Sequence, residues 1–121
     1  MSESEDAGPA AATLRLDRYL KVTGWDAGAE QLFGWTAREA IGVVLTELIS
    51  ADAQRLRRIK CLFEDGHWEG RAVVAGRDGV HVAVWLRAIG ERDGDGRVIG
   101  YDVSYWRLRD SAAYRELLFE G

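Results

Sequence analysis

Cysteine and proline are almost absent from this sequence, which holds one cysteine, Cys61, and one proline, Pro9, in 121 residues. A single cysteine allows no intrachain disulfide, so a disulfide scaffold is excluded and a reducing cytoplasm is favoured. The sequence also lacks any run of about 20 apolar residues, and its N-terminus lacks a basic segment followed by an apolar one. A membrane span and a secretory signal are therefore not expected.

An excess of positive charge is also missing. Lysine and arginine number 16 against 20 aspartates and glutamates, for a formal net charge of −4. Proteins that bind nucleic acid usually present a basic surface, so nucleic acid is not expected as a partner. Small molecules and other proteins remain as the expected classes of partner.

What is present fits one globular domain: 47% hydrophobic residues, 14 glycines and five tryptophans in a chain of this length. Residues 1–13 are polar and small, and we expect a disordered or weakly helical tail there. Residues 14–109 form the predicted domain. Residues 110–121 form a predicted C-terminal helix or linker.

The first half of the domain carries helix signals. A strand is predicted at Tyr19–Thr23, and Asp26 is placed to cap a short helix that Gly34 ends. Thr36 and Glu39 have the spacing of a capping box. Ser50 or Asp52 then caps a longer helix that runs to about Glu64.

The second half alternates with the period of strands. Three strands are predicted at Glu69–Arg77, Val80–Ile89 and Val98–Leu108, with turn signals at Asp78–Gly79 and Asp93–Gly96. The fold class is therefore α+β, an antiparallel sheet covered on one side by helices.

Several segments resemble the PAS family of sensory domains. They are Lys21–Asp26 with Ala29–Thr36 and Glu39–Gly42, then Glu64–Gly70, Arg77–Gly79 and Asp95–Tyr101, and the resemblance extends over about residues 16–108. It implies a five-stranded antiparallel sheet, with short helices and one longer helix packed on one face, and a pocket between helix and sheet. It also implies a sensory role.

The residues typical of known cofactor sites of this family are not where those sites need them. Cys61 lies on the longer helix, whereas the flavin-binding light sensors of the family carry their cysteine in a different motif on an earlier helix. His67 follows the longer helix and His81 falls on the outer face of its strand, so neither is placed as a haem ligand. Haem and flavin are not expected, and the cofactor is unknown.

Other motifs have simpler interpretations. Asp93–Gly96 carries two carboxylates of a calcium loop but lacks the further oxygen ligands, so a hairpin turn is predicted and no metal site. Arg55, Arg57, Arg58 and Lys60 are interpreted as a solvated helix face, with phosphate contact as the alternative. No nucleophile stands with a base, so no catalytic residue is predicted and an enzyme is not expected.

The apolar face of the sheet and the longer helix predict a ligand pocket. Its candidate residues are Phe33, Leu48, Leu56, Ile59, Phe63, Val84, Leu86, Tyr101 and Val103. A filled core is the equal alternative. Tyr101 and Tyr105 share one strand face and offer hydroxyl groups to a ligand.

Residues that alternate with the inward-facing ones on the last two strands lie on the outer face of the sheet, and they predict an interface there. They are Trp85, Ile89, Trp106 and Leu108. Tryptophans exposed there would form an apolar patch, which usually marks an interface. The terminal helix, the tail or a second subunit would cover it.

These observations predict a cytoplasmic sensory module that binds a small apolar ligand, forms a homodimer, or both. It would relay a signal to an output domain such as a kinase or cyclase, as in two-component signalling. The alternative is a pure dimerisation module with a filled core and no ligand.

Overall fold

The computed structural model describes residues 9–108. Strands β1 (Ala12–Asp17) and β2 (Val22–Trp25) come first. Three short helices follow, α1 (Ala27–Phe33), α2 (Ala37–Ala40) and α3 (Leu45–Leu48). The remaining elements are β3 (Ser50–Ala51), α4 (Arg55–Asp65), β4 (His67–Ala75), β5 (His81–Arg92) and β6 (Val98–Arg107).

The strands form one antiparallel sheet in the order β2-β1-β6-β5-β4-β3. The first and last strands, β1 and β6, pair with each other within the sheet, where Leu14 of β1 lies opposite Val103 of β6. The predicted α+β fold with helices over an antiparallel sheet is confirmed. The sheet has six strands where the resemblance implied five, because two residues after α3 pair with the end of β4.

Local capping signals predicted the first two short helices correctly. The Asp26 carboxylate accepts a hydrogen bond from Ala29 N at 2.7 Å and begins α1, and Gly34 ends it in a left-handed conformation with φ of 78°. Thr36 and Glu39 make both hydrogen bonds of the capping box of α2.

Other boundaries differ from the prediction. The first strand begins at Ala12, within the predicted tail. Of the strand predicted at Tyr19–Thr23, Val22 and Thr23 belong to β2, whereas Tyr19 and Leu20 lie in the turn before it. Gln54, and neither Ser50 nor Asp52, precedes the first residue of α4. The predicted helix or linker at 110–121 and most of the predicted tail lie outside the described residues.

The core fills the space between the helices and one face of the sheet. Buried side chains from β1, β5 and β6 form a single cluster with those of α1, α2, α3 and α4. Alternate residues of β5 confirm the predicted parity, since Val84 and Ala88 belong to this cluster and Leu86 packs against it, whereas Trp85 and Arg87 do not. Within residues 9–108, no helix is long and apolar enough to cross a membrane.

Candidate ligand-binding site

A cavity of about 90 Å³ lies between the inner face of the sheet and helices α3 and α4. Most of its wall is aliphatic, and the polar groups are few. The lining residues are Leu16, Leu20, Leu45, Thr46, Ile49, Ala51, Arg55, Arg58, Ile59, Leu62, Trp68, Val74, Leu86, Ala88, Val103 and Tyr105. A space of this size has room for several water molecules or a small ligand.

Helix α4 covers the cavity with one face. Arg55, Arg58, Ile59 and Leu62 are spaced three and four residues apart, so they stand on the same side of the helix, and all four line the cavity. Arg58 is only 8% exposed, which is rare for an arginine. The expectation that Arg58 belongs to a solvated face is therefore wrong.

Asp52 explains why Arg58 turns inward. Arg58 Nη1 donates to Asp52 Oδ1 at 2.9 Å. The same carboxylate accepts hydrogen bonds from Val73 N at 2.8 Å and from Gln54 N at 2.9 Å. Asp52 thus ties the start of α4 to β4, and an arginine paired with it must lie on the side of the helix that faces the sheet.

The other terminal nitrogen of the guanidinium group has no hydrogen-bond partner in the described part of the chain. This atom, Arg58 Nη2, is buried. The guanidinium carbon lies 5.3 Å from the ring centroid of Trp68, which also lines the cavity. A residue that lines the cavity therefore carries one buried donor that is not satisfied.

Tyr105 forms part of the opposite wall. Its ring packs edge to face against Phe33, with centroids 5.0 Å apart, which holds the phenol in place. Burial raises the pKa of Tyr105 far above its usual value, although the nearby positive charge of Arg58 opposes that rise. The hydroxyl is therefore neutral at physiological pH.

The predicted pocket residues divide into three groups. Ile59, Leu86 and Val103 line the cavity. Phe33, Leu48, Val84 and Tyr101 are buried in the core beside it. Leu56 and Phe63 are 73% and 54% exposed, and of these two Phe63 contacts the ring of Tyr101, at a centroid distance of 6.4 Å.

The exposure of Leu56 has a geometric cause. Two residues along a helix correspond to about 200° of rotation, so Leu56 points away from the cavity when Arg58 points into it. The sequence predicts Leu56, Ile59 and Phe63 in the pocket, and Arg55 and Arg58 are interpreted from it as part of a solvated helix face. The acidic residue at position 52, six residues before Arg58, was the available signal that Arg58 turns inward.

The predicted interface residues do stand on the outer sheet face. Trp85 of β5 lies directly opposite Trp106 of β6, and Leu108 N donates to Ala83 O at 2.9 Å. Trp106 is only 7% exposed, with the guanidinium carbon of Arg87 5.1 Å from its ring centroid. Ile89 is 49% exposed and Trp85 is half-buried, so the accessible apolar surface on this face is smaller than predicted.

The remaining candidate motifs have structural roles or lie apart from the cavity. Asp93 Oδ1 accepts hydrogen bonds from Asp95 N and Arg97 N at 2.9 and 3.0 Å, as in a hairpin turn. His67 and His81 are exposed and Cys61 does not line the cavity. In the described part of the chain, no three potential metal ligands come together.

The comparisons with known proteins agree with this geometry. The model of the PAS fold matches residues 10–103, and the chain therefore belongs to the PAS family. The search of curated proteins found no significant match.

Solved structures share the fold at low sequence identity. The light-state structure of the blue-light photoreceptor Aureochrome1 LOV is 16% identical, with a TM-score of 0.80, and the match covers 99% of this chain and 98% of that one. The PAS domain of a protein from Colwellia psychrerythraea is 17% identical, with a TM-score of 0.69 and coverage of 80% and 85%. A light-oxygen-voltage domain studied with a flavin analogue is 18% identical, with a TM-score of 0.75 and coverage of 93% and 87%.

The cavity of this chain fits neither a flavin nor a haem. Its volume of about 90 Å³ is well below the roughly 300–1,000 Å³ of pockets for drug-sized ligands. No cysteine or histidine of residues 9–108 lines it to react with a flavin or to bind iron. The residues present suit a smaller and mostly aliphatic molecule.

Proposed function

We propose that this chain is a sensory module that binds a small, mostly apolar ligand between α4 and the sheet and relays its presence to an output domain, such as a kinase or cyclase. The observation that carries the proposal is the cavity of about 90 Å³ with the buried donor of Arg58 in its wall. The scarcity of cysteine suits a reducing compartment, so we place this activity in the cytoplasm.

The size and lining of the cavity support ligand binding. Protein interiors are close-packed, and few voids exceed a water molecule. Aliphatic walls offer water almost no hydrogen bonds, so water is a poor occupant for most of this space. An apolar molecule makes better use of it.

The sheet supports the relay. Leu86 of β5 and Val103 of β6 line the cavity, while the alternating residues of the same strands, Trp85 and Trp106, stand on the outer face. A ligand that displaces the cavity residues therefore also moves the backbone that carries the tryptophans. A partner on the outer face would sense that movement.

Native mass spectrometry of the purified protein tests ligand binding, together with an absorbance scan for a coloured ligand. We expect a bound mass, or uptake of small aliphatic probes, that the cavity-filling variant Ala88→Leu abolishes. Val80→Leu, at an exposed position, is the matched control. A protein that carries no added mass and takes up no probe would contradict the proposal.

The second candidate is a pure dimerisation module that uses the outer sheet face. Exposed Ile89 and half-buried Trp85, which lie on the same face of β5 with Arg87 between them, favour it. The oligomeric state of matched variants distinguishes this candidate from the first.

A further inference from the structure

The charged groups of the cavity lie together on α4. Arg55 and Arg58 line the cavity one helical turn apart, and Asp52 is paired with Arg58. Across residues 9–108, no carboxylate lies within ion-pair distance of Arg55. Two guanidinium groups and one carboxylate leave a single uncompensated positive charge at this end of the cavity.

The donor that lacks a partner belongs to the same group of residues. Arg58 Nη2 is buried, while Nη1 is held by Asp52. Leaving a buried charged donor unsatisfied is costly, so an acceptor delivered by a ligand would bind it strongly. A carboxylate provides both the acceptor and the single negative charge, whereas a dicarboxylate would bring one negative charge too many.

The space beyond the arginines limits the rest of the ligand. The cavity of about 90 Å³ is smaller than the roughly 150 Å³ cavity that accommodates benzene in another protein. Its wall there is aliphatic, with Leu16, Leu86 and Val103. The enclosed part of the ligand is therefore a short hydrocarbon chain.

On the basis of the proposed ligand-binding function, we propose that the ligand is a short-chain aliphatic monocarboxylate. Its carboxylate accepts a hydrogen bond from Arg58 Nη2 and is attracted by Arg55. Its chain fills the aliphatic part of the cavity.

Titrations followed by two-dimensional NMR test this proposal, with sodium butyrate and the neutral butyramide as probes of equal length. We expect butyrate to shift the amide signals of Leu86 and Val103 and to bind about tenfold or more tightly than butyramide, as expected for a charge-assisted hydrogen bond. Combining Arg58→Met with Asp52→Asn removes the donor without burying an unpaired charge, and should abolish the preference for butyrate. Arg57→Met, an exposed position on the same helix, should leave it intact.

A second variant protects the test if the double variant fails to fold. Arg55→Gln removes a half-buried charge that no described carboxylate pairs with, and should weaken butyrate several-fold while leaving butyramide unchanged. Equal binding of butyrate and butyramide to the unaltered protein would overturn the carboxylate proposal but leave the ligand-binding function standing. If neither these probes nor 1-butanol shifts a cavity signal, the ligand-binding function fails as well.

Discussion

Arg58 Nη1 lies 2.9 Å from Asp52 Oδ1, and the side chains of the two residues are only 9% and 1% exposed. The pair joins the first turns of α4 to β4, because Asp52 also accepts the hydrogen bond of Val73 N. The orientation of α4, and with it the roof of the cavity, therefore depends on a buried ion pair.

Removing one partner of a buried pair leaves the other charge uncompensated. Asp52→Ala should lower the free energy of unfolding by about 3–5 kcal/mol. Urea denaturation followed by tryptophan fluorescence measures it. Glu64→Ala is the control, since the Lys60–Glu64 pair on the same helix is exposed, 3.9 Å apart, and its loss should cost at most about 1 kcal/mol. Equal losses in the two variants would contradict a structural role for Asp52.

Local signals explain what could be predicted from the sequence. The cap at Asp26 and the capping box at Thr36 involve residues three positions apart, so the chain around them determines the outcome. The parity of β5 follows in the same way from alternation within one strand. The starts of α1 and α2 and the inner face of the sheet were therefore predictable.

The side of the cavity that α4 forms was not predictable, because the orientation of this helix depends on long-range contacts. The apolar residues Leu56 and Phe63 of α4 were expected to face the sheet, but Arg58 faces it instead. That orientation rests on Asp52, whose carboxylate accepts a hydrogen bond from Val73 N, 21 residues away. The walls from β1 and β4 also reach the cavity only through the sheet order, in which β1 pairs with β6. No periodicity within one segment contains that information.

Gly76 has a packing role that its position between two strands conceals. A Cβ atom there would lie 2.3 Å from Phe33 O, the carbonyl that accepts the hydrogen bond of Arg77 N. Gly76→Ala should therefore destabilise the fold by about 1–3 kcal/mol, as in other overpacked sites. Gly94→Ala is the matched control, with no atom within 4 Å of the added Cβ and no positive φ. Thermal denaturation of both variants measures the difference, and equal melting temperatures would contradict the close contact.

Asp26 gives the stability a pH dependence. Burial alone would raise the pKa of Asp26, but hydrogen bonds from the Thr13 hydroxyl and from the backbone N–H groups of Ala29, Thr13 and Gly28 together lower it below 3.8. The stabilisation is thus present above pH 3.8 and is lost as the pH falls through the lowered pKa.

Asp26→Ala should cost about 0.5–2 kcal/mol at neutral pH, the usual effect of losing a helix N-cap. The difference from the unaltered protein should shrink as the pH falls below 3.8 and through the lowered pKa, at which the carboxylate of the folded protein becomes protonated. Urea denaturation at neutral pH and at a pH below 3.8 measures this difference in the free energy of unfolding. Asp95→Ala, in the exposed β5–β6 turn, is the control. A difference that does not change with pH would contradict a stabilising role for the ionised carboxylate of Asp26.

The outer sheet face gives the last prediction. If the domain dimerises there, Trp85→Ser combined with Ile89→Ser should raise the dimer dissociation constant by at least about thirtyfold, since a single central tryptophan often contributes about 2 kcal/mol to an interface. Sedimentation velocity over a range of concentrations should then show the 13.5 kDa monomer for the variant and the dimer for the unaltered protein. Val80→Ser, which also removes an exposed apolar side chain but next to the β4–β5 turn, should remain dimeric. An unaltered protein that sediments as a monomer, or a double variant that sediments like its parent, would exclude this face as the dimer interface.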